Sequence, residues 1–345
     1  MHDAEGTKLP DDAWRIMSVH PAPPFDPELA PVLAAIADRV PPTLTLEMVP
    51  RFRALPADPS VGGLVDAVGA VHDERSLRSD DGAEIVVSVF RRAVRSGYGG
   101  PGILYLHGGG MLFGNRFGGV QAYLPLIESH DGVVVAVEYR LAPEHPDPIP
   151  LEDGYGALCW MSDSAAELGI DPARLLIAGQ SAGAGLAAGV ALLARERGGP
   201  VLRGQVLVSP MLDDRDETVS TRQVDRIGVW DRQSNLLGWS ALLGDRRGRP
   251  DVGGPTAPAR AVDLTGLPPA FISAGSSEVF RDEAVAFASR IWACGGVAEL
   301  HVWPGGFHGF ENFAPQAALS LAAAAARDGW LHRLLSDVPP DDSAA

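Results

Sequence analysis

Gly179-Gln180-Ser181-Ala182-Gly183 sets a serine between two glycines, the spacing of a tight turn that lifts a hydroxyl out of a sheet. A serine hydroxyl is a weak nucleophile at neutral pH and needs an imidazole base. That imidazole needs a carboxylate to fix its tautomer and stabilise its charged form. His308, in Phe307-His308-Gly309-Phe310, and Glu278, in Ser276-Ser277-Glu278, would supply both. Asp282 is the alternative acid, but RDEAVAFASRI already reads as helix, so Glu278, just past an apolar run, is favoured. His107-Gly108-Gly109-Gly110 adds a glycine loop whose backbone amides can point at a substrate oxygen. With the amide of Ala182, those of Gly108 and Gly109 would hold the negative charge that develops on a carbonyl oxygen during acyl transfer. His107 is expected to brace its loop rather than to move a proton.

These groups must sit on strand ends to converge. Apolar runs at 102–106, 132–140, 173–179, 204–210, 270–275 and 298–305 read as short strands separated by helices, which implies a mostly parallel sheet covered on both faces. SLRSDDGAEIVVSVFRR reads as two strands around an Asp-Asp-Gly turn, and helices are expected over about 151–168, up to Arg197, after Arg281, and from Pro315 to Leu335. Asp171-Pro172 marks a turn into the strand before Ser181. The serine, histidine and glycine loops all follow strands, at the carboxyl edge where open parallel sheets hold their ligands. Gly183, Gly185 and Gly189 also fit a dinucleotide loop, but they fall where the helix should already be running.

Two stretches break the rhythm. Residues 1–65 are rich in Pro and Ala, with one amphipathic helix over 27–40 and with Trp14, Phe25, Leu33, Ile36 and Phe52 available for burial. Residues 211–268 separate two strands by far more than an ordinary crossover and contain Trp230 and Trp239. Both are expected to form a helical cap, 1–65 and 211–268, over a catalytic domain made of 66–210 and 269–345. Met111, Leu112, Met211, Leu212, Trp230 and Phe310 are expected to wall the substrate pocket.

Of the 345 residues 46% are hydrophobic, enough for a full core without metal or disulfide staples. The net charge of −16 disfavours a phosphate-backbone partner, so no nucleic acid is expected. Cys159 and Cys294 have no metal-binding spacing and read as reduced thiols; no metal and no cofactor are expected. No leader and no membrane span are recognised, so a cytoplasmic protein acting on a small molecule is expected.

The order Ser181, Glu278, His308 is that of an α/β-hydrolase. HGGG, GQSAG, YRLAPEHP (139–146), EVFRDE (278–283) and PGGFHGF (304–310) together resemble the bacterial hormone-sensitive-lipase-like esterases over about residues 70–335. The resemblance implies a capped α/β-hydrolase fold and cofactor-free hydrolysis of short- to medium-chain carboxylic esters, in many members by homodimers. Lactones or acetylated natural products would suit the same machinery. Two departures stand out: Gln180 occupies a position that is usually acidic, and the usual Asp of the triad is matched by Glu278. Plant gibberellin receptors share the fold as ligand-binding proteins, but in them the triad histidine is replaced, whereas His308 is present. Tyr139, Arg140 and Glu144 are expected to tie loops together.

Overall fold

A computed structural model describes residues 21–55, 60–94 and 99–336. Its centre is one eight-stranded sheet: β1 (Ala70–Arg78), β2 (Glu84–Arg92), β3 (Gly100–Leu106), β4 (Val133–Glu138), β5 (Ile170–Gln180), β6 (Gly204–Val208), β7 (Ala270–Gly275) and β8 (Ala298–Trp303). The spatial order is β1-β2-β4-β3-β5-β6-β7-β8. Only β2 runs against its neighbours; β4 through β8 are all parallel.

The helices in chain order are α1 (Leu29–Ile36), α2 (Val49–Arg53), α3 (Val61–Val68), α4 (Pro125–His130), α5 (Ile149–Asp163), α6 (Ala165–Leu168), α7 (Ala182–Arg197), α8 (Val219–Gln223), α9 (Arg232–Leu243), α10 (Arg281–Ala293), α11 (Phe310–Phe313) and α12 (Ala318–Ser336). The strands alternate between two cores, as a period of two requires. Val133, Val135 and Val137 of β4 join Leu175 and Ile177 of β5 in one cluster with α5, α7 and α10. Val134, Ala136, Leu176 and Ala178 face the other, which holds Leu126 of α4 and Trp330 of α12. Covered on both faces, the central strands are apolar throughout, which is why they read as unbroken hydrophobic runs.

Two expectations change in detail. The helix expected over 151–168 breaks at Ser164 into α5 and α6. Asp171-Pro172 does not end a turn: β5 runs through it, with a register shift against β3 and with the Asp171 side chain accepting from the Ala173 amide at 2.9 Å.

The N-terminal segment and the 211–268 insertion meet over the carboxyl edge of the sheet. Asp231 caps α9 by accepting from the Ser234 amide at 2.8 Å, and it also accepts from the Thr43 hydroxyl at 2.5 Å. The Leu44 amide donates to the Ser234 hydroxyl at 2.8 Å. The helix read at 27–40 is shorter, α1, and of its side chains only Leu29 is fully buried, against Phe307 and Phe310. The insertion carries one substantial helix, α9, and the single turn α8. Residues 1–20 of the expected cap, with Trp14, lie outside the described residues, as do 56–59 and 337–345.

Candidate active site

Ser181 stands between β5 and α7 with φ 58° and ψ −122°, a strained conformation for a residue with a side chain. Its neighbours make the turn possible. A Cβ on Gly179 would collide with the Gly183 carbonyl, and one on Gly183 with the carbonyls of Leu106 and His107. The turn is pinned where the Ser181 amide donates to the Val208 carbonyl at 2.8 Å and the Met211 amide to the Ser181 carbonyl at 3.1 Å. Gly185 and Gly189 serve close packing instead: a Cβ on either would strike the carbonyl of Met211 or of Pro255. No phosphate loop forms there.

Ser181 Oγ lies 3.0 Å from His308 Nε2, and His308 Nδ1 lies 2.5 Å from Glu278 Oε2. With Glu278 ionised, Nδ1 donates and Nε2 is left to accept the serine proton. Glu278 is fully buried, and its other oxygen accepts from the Gly275 amide at 2.7 Å and the Ser209 hydroxyl at 2.8 Å. The loops after β7 and β8 can lie this close because Gly275 has no Cβ to meet Gly306. The ring of His308 meets Phe280 edge-on at 5.1 Å.

The two acids that follow Glu278 have other partners. Asp282 accepts from the Ser220 amide at 2.7 Å and from Arg281, so it anchors the start of α8 and does not reach His308. Glu283 accepts from the amides of Leu212 and Asp213 at 2.7 and 2.6 Å. Burial, reinforced by Asp213, pushes its carboxyl well above the usual range.

Gly108 lies against the serine, where a Cβ would come within 3.2 Å of Ser181 Cβ. The amides of Gly108, Gly109 and Ala182 donate to no other described residue, and Gly108 and Gly109 line the same cavity as Ser181 and His308. Three uncommitted donors beside a nucleophile suit an oxyanion. His107 braces this loop: its ring stacks on Tyr139 at 4.2 Å, its Nδ1 lies 2.8 Å from the Gly108 carbonyl, and burial lowers its pKa. The Tyr139 hydroxyl donates to the His107 carbonyl at 2.7 Å. Arg53 joins the same region, donating to the Leu112 and Ala142 carbonyls and to both oxygens of Glu144. Arg140 grips Asp153 and Asp81. These contacts are the loop-tying roles expected of Tyr139, Arg140 and Glu144.

The cavity lined by Ser181 and His308 has a volume of 420 Å³. Leu44 and Phe52 from the N-terminal segment, Trp230 from the insertion and Phe113 wall one side; Gln121, Gln180 and Asn312 give the other a carboxamide face. Among the residues expected to form this wall, Trp230 does so. Met111, Leu112, Met211, Leu212 and Phe310 do not: each is at most 2% exposed and belongs to the core. Met111 itself has φ 66° and is buried in the core cluster. The residues that replace them lacked a periodic signal; Asn312 lies in α11, the short helix that begins just after His308.

A family described as alpha/beta hydrolase fold matches residues 103–312. Over 316 residues the chain is 35% identical to a protein named Carboxylesterase NlhH from Mycobacterium tuberculosis, an alignment that covers 88% of this chain and 94% of the relative. A solved structure titled Bacterial Heroin Esterase aligns with a TM-score of 0.81 at 36% identity, covering 90% of this chain and 98% of the other. The crystal structure of esterase LipW from Mycobacterium marinum gives a TM-score of 0.80 at 29% identity, covering 93% and 100%.

Proposed function

The chain belongs to the α/β-hydrolase fold family, in its hormone-sensitive-lipase-like branch, and is a carboxylic ester hydrolase; from that premise we propose that Ser181, His308 and Glu278 carry the reaction. The observation that supports this most directly is the unbroken hydrogen-bonded line from serine through imidazole to a fully buried carboxylate. Ser181 attacks the ester carbonyl while His308 Nε2 takes its proton. The amides of Gly108, Gly109 and Ala182 hold the oxyanion of the tetrahedral intermediate. Glu278 keeps Nδ1 protonated and stabilises the imidazolium. His308 then gives its proton to the departing alcohol, leaving an acyl-serine. A water activated by the same imidazole releases the acid by the reverse sequence.

The segments over the site act as a cap: residues 21–55 and 211–268 supply its apolar roof, and the cavity's volume suits short to medium acyl chains. A homodimer and a cytoplasmic location belong to the same reading, checked by light scattering and cell fractionation. Among the described residues no helix is long and apolar enough to cross a membrane.

Ser181→Ala tests the assignment. Turnover of p-nitrophenyl butyrate should fall by about a million-fold, as loss of such a nucleophile does elsewhere. A fluorophosphonate should label the natural protein and not the variant. Near-normal turnover by the folded variant would sink the proposal.

A further inference from the structure

Behind the carboxamide face of the catalytic cavity lies a second cavity of 170 Å³, room for a fragment of a few heavy atoms. It shares Gly119, Gln121, Gln180 and Asn312 with the first, so the two spaces meet along one wall. On that wall the Asn312 amide donates to Gln180 Oε1 at 2.8 Å, which leaves Gln180 Nε2 free to donate. The far side carries Tyr123, Glu311 and Arg327.

These groups differ from those of an ordinary gap in the core. Tyr105 and Tyr139, both buried, donate their hydroxyls to carbonyls at 2.8 and 2.7 Å. Tyr123 is equally buried, at 2% exposure, yet its hydroxyl makes no hydrogen bond to another described residue. Nor does the side chain of half-buried Glu311. Arg327 is 8% exposed and uses Nε and one terminal nitrogen on Asp328, its chain neighbour. Its guanidinium lies 5.5 Å from the centre of the Tyr123 ring. The Tyr123 hydroxyl and the Glu311 carboxyl, uncommitted among the described residues, open onto one cavity, which marks a place for a hydrogen-bonding partner. Arg327 is already paired with Asp328, and a protonated Glu311 carboxyl adds no charge, which favours an uncharged guest over an ion. Burial, opposed by Arg327, pushes the Glu311 carboxyl up to about 7, so near neutrality it can donate as well as accept.

The geometry also indicates which end of an ester would reach this space. A leaving oxygen must meet His308 Nε2 to be protonated, and α11, which begins two residues after His308, carries Glu311 and Asn312. His308 and Asn312 line the same cavity, so the shared wall is open to the departing alcohol. We propose that the second cavity is a polar annex of the catalytic site that takes the hydroxyl-bearing part of the leaving alcohol, so that the preferred substrates are esters of polyols rather than of simple alkanols. This inference rests on the ester-hydrolase reading.

The test compares two butyrates of equal length, glyceryl monobutyrate and propyl butyrate, on the natural protein, Tyr123→Phe and Glu311→Gln. Tyr123→Phe keeps the ring beneath Arg327 and removes only a hydroxyl with no partner among the described residues. The natural protein should prefer the glyceryl ester, and each variant should lower kcat/KM for it about tenfold, the worth of one hydrogen bond, leaving propyl butyrate unchanged. No preference in the natural protein, or an equal fall for both esters, overturns the annex. If neither ester is cleaved by the natural protein, the hydrolase reading fails instead. Calorimetric titration with 3-butoxy-1,2-propanediol, an ether that cannot be cleaved, then decides: weaker binding to Tyr123→Phe supports the annex, while equal affinity or no binding overturns it.

Discussion

The floor and the roof of the catalytic cavity are built on different principles. The floor comes from the ends of neighbouring strands in one sheet: the glycine loop after β3, Ser181 after β5, Glu278 after β7 and His308 after β8. Each side chain of the proposed triad there is held by directional bonds of 2.5–3.0 Å. The roof joins two segments far apart in the chain, with Thr43 bonded to Asp231 and Leu44 to Ser234, 188 and 190 positions away. What it offers the cavity is apolar area from Leu44, Phe52 and Trp230. Proton transfer needs angles and distances, whereas hydrophobic binding scales with area and has no direction. Loss on the floor should therefore cost rate, and loss in the roof should cost stability and selectivity.

The largest separation of the two is expected from His308→Ala, which should lower kcat by about a million-fold, as Ser181→Ala should. Glu278→Gln keeps the shape but loses the charge that holds the imidazole, and should lower kcat by about ten-thousand-fold. Asp282→Asn, four residues on, should leave kcat within a few-fold, because its partners are Ser220 and Arg281. If p-nitrophenyl butyrate kinetics show Asp282→Asn as damaging as Glu278→Gln, the floor has been assigned to the wrong acid.

In the roof, Trp230→Ala should destabilise by about 3–5 kcal/mol in denaturant unfolding. The same variant should shift preference toward longer p-nitrophenyl esters, since the indole fills space beside Gly110. An acyl-length profile that does not move would remove Trp230 from the pocket wall. Asp231→Ala deletes the cap of α9 and the bond to Thr43, and should cost about 1–2 kcal/mol with kcat nearly intact.

An effect that shows only as a pH dependence lies at the boundary between the two regions. Burial raises the Glu311 carboxyl from the ordinary 4.5 to about 7, so the folded state favours its protonated form. That contribution is complete below about pH 4.5 and is lost as pH rises through 7. The Tm of the natural protein minus that of Glu311→Gln should therefore fall between pH 5 and pH 8, by an amount on the order of 2 kcal/mol in stability. A difference that stays flat, or that rises with pH, contradicts the burial of this group.

The contrast also explains what could be read in advance. The floor was legible because its chemistry restricts residue type: glycines around Ser181 leave room for a strained turn, and an apolar run ending in Ser-Ser-Glu marks where a carboxylate can leave the sheet. The strand at 270–275 coincides with β7 for the same reason, since a strand buried on both faces must be apolar throughout. Pocket walls obey no such restriction. Met111, Leu112, Met211, Leu212 and Phe310 are as apolar as Trp230, and nothing in their type separates a residue facing the core from one facing the substrate. The break between α5 and α6 at Ser164 and the course of β5 through Asp171-Pro172 were likewise outside local pattern, because packing and pairing override weak turn signals.

By itself the amino-acid sequence determined the fold class, the order of the reacting groups and the turn that exposes the serine, because hydrophobic period, glycine placement and the need for an imidazole and a carboxylate are written in residue types. Only the tertiary structure decided that Glu278 and not Asp282 meets His308, that Leu44 and Phe52 close the cavity with Trp230, and that Tyr123, Glu311 and Arg327 gather behind Gln180. Those outcomes depend on which side chains share a space, and sharing a space is a property of packed segments distant in the chain.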